Sequence, residues 1–212
     1  MTFLELQNAL LPAGVGNTAR FKEGQREEVK KWLNDRYAEL WGLEDWTFRK
    51  AYGDLAITAS DDTPVMPTDF GISRKVWDAS GAKVPYLAPD DFFDIHIPSG
   101  TDTGPSSVYT LVNGQIYLDP TPGSSGTWKV YYERKITQLV ADGAVPLIPV
   151  EHHYALVHGA EATGQTRIQD FTYSFSEQRW QNQLAAMRRN FLVDQRGDNS
   201  DWGSRPSVAQ GW

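Results

Sequence analysis

The hydrophobic pattern of this chain runs at a helical period, changes to a period of two, returns to a helical one and then stops. At the amino end Thr2 and Glu5 have the spacing of a capping box, and Pro12, Gly14 and Gly16 supply a stop, which predicts a short helix over 3–11. Over 22–41 the residues Val29, Trp32, Leu33, Tyr37, Leu40 and Trp41 share one stripe, with Lys30, Lys31, Asp35 and Glu39 off it. A longer helix is expected there, ended by Gly42.

From Trp46 the period shortens. Trp46, Phe48, Ala51, Leu55 and Ile57 sit among polar residues and turn formers, as in strands with one buried face, and further strands are expected at 72–77, 108–112, 115–118 and 128–134. Between two of them Asn113-Gly114 predicts a type I′ hairpin, whose central residues must both tolerate positive φ. The β region thus covers about 46–135, with an acidic, aromatic stretch at Pro89–Asp94 and a glycine-rich Ser99–Ser107 expected as a long exposed loop. Pro146 and Pro149 mark a return to helix over 150–169, with Gly164 as a weak point. A last helix is expected over 174–191, where Ser174 and Glu177 repeat the capping-box spacing and Tyr173, Trp180, Leu184, Met187 and Phe191 recur at near-heptad intervals. The pattern predicts an α+β fold, a bundle of N- and C-terminal helices with an inserted antiparallel β region.

Beyond Val193 the periodicity ends. Residues 194–212 are rich in glycine, serine, aspartate and arginine and cannot bury enough apolar area to offset their ordering entropy. The expected organisation is a folded body over 1–193 and a disordered C-terminal arm over 194–212. The arm nevertheless carries Trp202, Arg205, Val208 and Trp212, and a few aromatic anchors can supply most of a binding energy. These four are the candidate binding residues.

Composition narrows the function classes. At 212 residues the chain can bury a sizeable core, and without cysteine it has no disulfide, thiolate metal site or thiol nucleophile. A net charge of -7 argues against a dedicated nucleic-acid binder, since phosphate neutralisation needs a basic surface. Eight tryptophans hint at protein contacts. The first five residues do not read as a signal peptide, and no run approaches the roughly 18 apolar residues of a membrane span, so a soluble protein made in the cytoplasm is expected.

Candidate chemistry is sparse. His152, His153 and His158 lie close together, but their separations of five and six do not match the i, i+4 pair of a helical zinc site; they read as partly exposed residues at a helix start. Asp61-Asp62 and Asp90-Asp91 with Asp94 are carboxylate clusters that glycosidic acid–base chemistry could use, although adjacent acids on turns usually serve only solvation. There is no nucleophile elbow, phosphate-binding loop or dinucleotide fingerprint, and Arg196-Gly197-Asp198 has the composition of an ordinary turn. No catalytic residue, metal or cofactor is expected.

The succession of segments does resemble a known family. A helix carries Asn34-Asp35-Arg36-Tyr37-Ala38-Glu39-Leu40-Trp41; Trp46-Thr47-Phe48-Arg49 follows, then a β insertion closing with Trp128-Lys129-Val130-Tyr131-Tyr132-Glu133-Arg134. Leu147-Ile148-Pro149-Val150-Glu151-His152-His153 leads into a helix, and the last helix ends Leu184-Ala185-Ala186-Met187-Arg188-Arg189. Over most of residues 2–192 this is similar to the head-to-tail adaptor (connector or head-completion) proteins of tailed bacteriophages. The resemblance implies a structural virion protein in the neck: a dodecameric ring, docked on the portal, that continues the DNA channel without specific DNA binding. It also implies an arm inserted into the portal, a stopper or tail protein below, and no membrane partner. A tail-tube, stopper or baseplate component, making its contact through Pro89–Ser107, is the alternative. A carboxylate-dependent hydrolase using Asp90 or Asp94 ranks behind both.

Overall fold

The computed structural model describes residues 1–11, 21–95, 102–168, 170 and 172–192. Helix α1 (Phe3–Leu10) starts with the expected capping box, Thr2 Oγ1 accepting from the Glu5 amide at 3.3 Å and the Glu5 carboxylate accepting from the Thr2 amide at 2.8 Å. After one 3-10 turn at Glu23–Gln25, α2 (Arg26–Leu43) buries Val29, Trp32, Leu33, Tyr37, Leu40 and Trp41, the whole predicted stripe.

Gly42 does not end that helix. It lies inside α2, and the chain leaves at Glu44, in extended conformation. Side chains from beyond the helix satisfy its terminal carbonyls: Trp46 Nε1 donates to Leu40 O at 2.7 Å, and the Arg49 guanidinium donates to Trp41 O at 3.1 Å and Glu44 O at 3.0 Å. With those acceptors paired, no left-handed glycine is needed.

Trp46 and Phe48 do not begin a strand either. Thr47–Arg49 is a 3-10 turn, and Trp46, fully buried, stacks on Phe48 at 5.6 Å within the helical core. The β region starts at β1 (Lys50–Ile57), continues through β2 (Phe70–Trp77) and β3 (Lys83–Val84), and returns to the helices at the end of β8 (Gly126–Arg134). These four form an antiparallel sheet in the order β1-β8-β2-β3.

Between β3 and β8 lie α3 (Pro89–Ile95), β4 (Thr103–Gly104), the hairpin β5 (Val108–Val112) and β6 (Gln115–Asp119), and β7 (Thr121–Pro122). Asn113 and Gly114 turn the hairpin with φ of 52° and 77°, both positive as the type I′ reading requires. The glycine-rich segment is not simply a loop: Thr103–Gly104 pairs with Thr121–Pro122, and Ser106 Oγ donates to Pro120 O at 2.5 Å, so from 102 onwards it is tied to the hairpin's exit. Residues 99–101 lie outside the described residues.

A strap over 135–149 then crosses the bundle. Asn34 Nδ2 donates to Leu139 O at 3.0 Å and Asn34 Oδ1 accepts from the Leu139 amide at 2.8 Å, while the Tyr37 hydroxyl accepts from the Leu147 amide at 3.0 Å. A 3-10 turn at Val150–His152 leads into α4 (His153–Arg167), which packs against α1, α2 and α5 (Tyr173–Phe191). The start of α5 has no capping box: Ser174 already lies in its first turn, Thr172 stands at the cap, and Asp170 accepts from the Thr172 amide at 2.9 Å. Glu177 instead reaches Arg36 on α2 at 3.3 Å.

Two hydrophobic cores result. One joins α1, α2, α4, α5 and the strap around Trp32, Tyr37, Trp46 and Trp180; the other lies between the inner sheet face and the β5–β6 hairpin, around Leu55, Val76, Tyr109, Ile116, Trp128 and Tyr132. The α+β class and the insertion of the β region between the helices are as expected.

Candidate functional site

The residue types that could perform chemistry are committed elsewhere. His152 and His153 are buried, at 6% and 1% exposure, against the expectation of partly exposed residues. His153 Nε2 faces Ile148 O at 3.1 Å and its Nδ1 faces the Met1 amino group at 2.7 Å. A carbonyl can only accept and an ammonium can only donate, so the neutral ring with its proton on Nε2 satisfies both. Burial, assisted by the nearby ammonium, holds its pKa below the usual histidine value. His152 meets Gln183 Oε1 at 3.2 Å and sets its ring edge-on to Phe191. These rings are struts of the helical core, covered by the strap just before them and by Met1 and α5, both remote in sequence. Among the described residues no group of three or more histidines and carboxylates could hold a metal ion.

The carboxylate clusters do not converge. Asp61 accepts from the Thr63 hydroxyl at 2.7 Å and the Thr63 amide at 2.9 Å, and these bonds lower its pKa. Asp90, Asp91 and Asp94 are exposed on α3. A surface depression of about 460 Å³ lies between the β2–β3 turn and the β4–β7 pair, and among the described residues the only carboxylate lining it is Asp78. That carboxylate accepts from the Ser80 hydroxyl at 2.6 Å and from the Ser80 and Ala82 amides, which hold it in the ionised form. A second acid or base to work against it is not among the lining residues.

The tryptophans are mostly core. Trp32, Trp41, Trp46, Trp128 and Trp180 are buried, so their number does not by itself mark an interface. Trp77 is only half-buried and belongs to the outer sheet face. Trp202, Arg205, Val208 and Trp212, the candidate binding residues, lie outside the described residues, as does Arg196-Gly197-Asp198.

The outer face of the four-stranded sheet is the most distinctive surface. Register pairs Tyr52 with Tyr131, Tyr131 with Lys75, Lys129 with Trp77, and Trp77 with Lys83, which places these side chains together on the side away from the core. Tyr52 is 62% exposed and its ring lies 5.8 Å from that of Trp77. Lys129 pairs with Asp54, while Lys75 and Lys83 are exposed and have no carboxylate partner among the described residues. At the end nearer the helices Glu133 is almost fully buried, holding Arg49 at 3.0 Å and pairing also with Arg74. Arg49 also caps α2, so one carboxylate couples the sheet to the bundle.

On the opposite side of the β region α3 lies over the hairpin. Phe92 is buried and Phe93 packs edge-on to Tyr117 at 6.0 Å, yet Phe93 and Ile95 remain 42% and 64% exposed beside the three aspartates. The α3 surface falls within Pro89–Ser107, which the sequence marks as a candidate contact region, whereas the outer sheet face carries no signal in the sequence. The outer face depends on register shifts within β2 between 70 and 75, which alternation alone does not reveal.

The family model described as SU10 adaptor protein matches residues 1–209. No curated protein matches the chain.

Proposed function

Because the chain belongs to the SU10 adaptor protein family, a family of bacteriophage head-to-tail adaptors, we propose that it forms a ring in the virion neck that docks on the portal and extends the DNA channel towards the tail. The observation that carries this reading is the extent of the match. It runs to residue 209, past the last described residue, Leu192, and so includes Trp202, Arg205 and Val208. The segment after the folded body therefore belongs to the family's pattern.

The organisation that follows is a body over 1–193 and an arm over 194–212 that binds the portal through Trp202, Arg205, Val208 and Trp212. A stopper or tail protein would sit on the lower face. The chemistry described above suits a structural role, since His152 and His153 are packed and the described acids dispersed. The net charge of -7 also fits a channel through which DNA passes, because like charge disfavours retention of phosphate.

The test is binding of the purified full-length chain to the purified portal, beside a version ending at Val193, with the products imaged by electron microscopy. A ring on the portal with the full-length chain and none with the shortened one is the expected result. Absence of binding by both would move the reading to a tail-tube, stopper or baseplate component contacting its partner through Pro89–Ser107, a region in which Phe93 and Ile95 are exposed.

A further inference from the structure

We propose that the outer face of the β1-β8-β2-β3 sheet receives helix α3 of a second copy of this chain, a head-to-tail contact that repeats from subunit to subunit. This rests on the ring reading above and supplies the contact that would build the ring.

The sheet face presents what an interface core needs. Tyr52, Tyr131 and Trp77 form an aromatic patch, a residue class enriched where proteins meet. Around it Lys75 and Lys83 carry no carboxylate partner among the described residues. In a chain of net charge -7 this is a local reversal of sign.

α3 offers the complement. Asp90, Asp91 and Asp94 are exposed, unpaired among the described residues, and flank Phe93 and Ile95. An apolar pair bordered by three negative charges would meet an aromatic patch bordered by positive ones. Sign and polarity match, and like-charge pairings would be avoided, which is how charge selects partner and register.

Position makes the contact repeat. The layers run from the sheet's outer face through its inner core to the β5–β6 hairpin, with α3 on the far side of the hairpin. The two patches therefore lie on opposite sides of one β region and cannot meet within a chain. A contact between unlike patches is heterologous: it leaves one free patch at each end and closes a ring if the rotation suits. Duplex DNA is the rival occupant for an aromatic and basic face. Asp54 pairs with Lys129 on this face, and Arg74 shares the single charge of the buried Glu133 with Arg49, which leaves Lys75, Lys83 and part of the Arg74 charge for phosphate, few against the stripe that DNA binding needs.

The experiment uses charge reversal in the full-length chain. Variant one carries Lys75→Glu and Lys83→Glu; variant two carries Asp90→Lys, Asp91→Lys and Asp94→Lys. All five positions are exposed, and circular dichroism of each variant is the check that it folds. Sedimentation velocity at low salt should show each variant alone associating at least about tenfold more weakly than the wild type. An equimolar mixture should regain wild-type assembly, because each reversed patch then meets a reversed partner. Variants that assemble like the wild type, a mixture no better than its parts, or a wild type that stays monomeric would overturn the proposal. So would a labelled DNA duplex bound by the wild type and released by variant one. The adaptor reading fails differently: there the wild type does not bind the portal at all.

Discussion

Gly164 and Gly42 are both glycines inside helices, yet their surroundings give them opposite signs. A Cβ on Gly164 would lie 2.5 Å from Phe21 Cζ and 2.5 Å from Trp32 Cζ3, whose rings are themselves packed at 5.1 Å, so the aromatic pair would have to move. Alanine improves helix propensity by about 1 kcal/mol, and overpacking costs about 1–3 kcal/mol, so Gly164→Ala should lower unfolding free energy. A Cβ on Gly42 meets nothing within 4 Å, and Gly42→Ala should raise stability by about 0.5–1 kcal/mol. Urea denaturation of the two variants beside the wild type checks both signs. Gly164, which as sequence reads as a weak point in α4, is thus where the helix admits its neighbours. His153 gives a pH dependence at the same scale. Its folded pKa lies below the ordinary histidine value of 6.5, so between those two values the unfolded chain binds more protons than the folded one. The stabilisation is complete above about 6.5 and is lost as pH falls through the folded value. Melting midpoints followed from pH 8 to pH 4 should therefore fall less steeply for His153→Gln than for the wild type through that window; parallel curves would show that the ring does not titrate there.

Among the elements, the junction between bundle and sheet rests on Glu133. Arg49 is mostly shielded, with 20% of its side chain exposed, whereas Arg74 is 50% exposed, so the Arg49 contact should dominate and the Arg74 one be screened by water. Glu133→Gln keeps the volume and removes the charge opposite Arg49, for an expected loss of about 1–3 kcal/mol. Because Arg49 also caps α2, hydrogen exchange should rise locally, at Lys50–Tyr52, Tyr132–Arg134 and the end of α2. A uniform rise over both cores would instead mean that Glu133 does not act as a joint. How far sequence could anticipate such a structure follows element length. The stripe of α2 and the alternation of β8 repeat often enough to be read, and Asn113-Gly114 fixes its hairpin through backbone preference alone. By contrast β3, β4 and β7 have two residues each, too few for alternation to show, and exist only through the strand each pairs with, and α3, at seven residues, is held through Phe92. Helix ends were missed for the same reason: α2 stops where Trp46 and Arg49 reach back to it, and α5 starts at a turn made by Asp170. The lysine and tyrosine face of the sheet was illegible because it is assembled across β1, β8, β2 and β3 by register.

For the whole molecule the question is whether the body stands without its C-terminal segment. The helical core is built from residues between Phe3 and Met187, with Phe191 packed at its edge, and the β core from residues between Ala51 and Tyr132. Each core includes elements distant in sequence, β1 against β8 and α1 against α4, so cooperativity is already set by contacts that close within 1–192. The segment from 194 adds Trp202 and Trp212 with little other apolar content. If its role is to order on the portal, removing it should change the unfolding free energy by less than about 1 kcal/mol while abolishing docking. Tryptophan emission separates the two roles directly. The difference between the spectra of the full-length chain and the version ending at Val193 isolates Trp202 and Trp212. It should have the red-shifted emission of solvated indole in the free protein and move to the blue when portal is added, because an anchor buried at an interface loses its water. A difference spectrum already blue-shifted without portal, together with a fall in stability on truncation, would mean that the segment packs on its own body. The portal contact would then have to be made by the folded surface, where the exposed residues of α3 are the first to test.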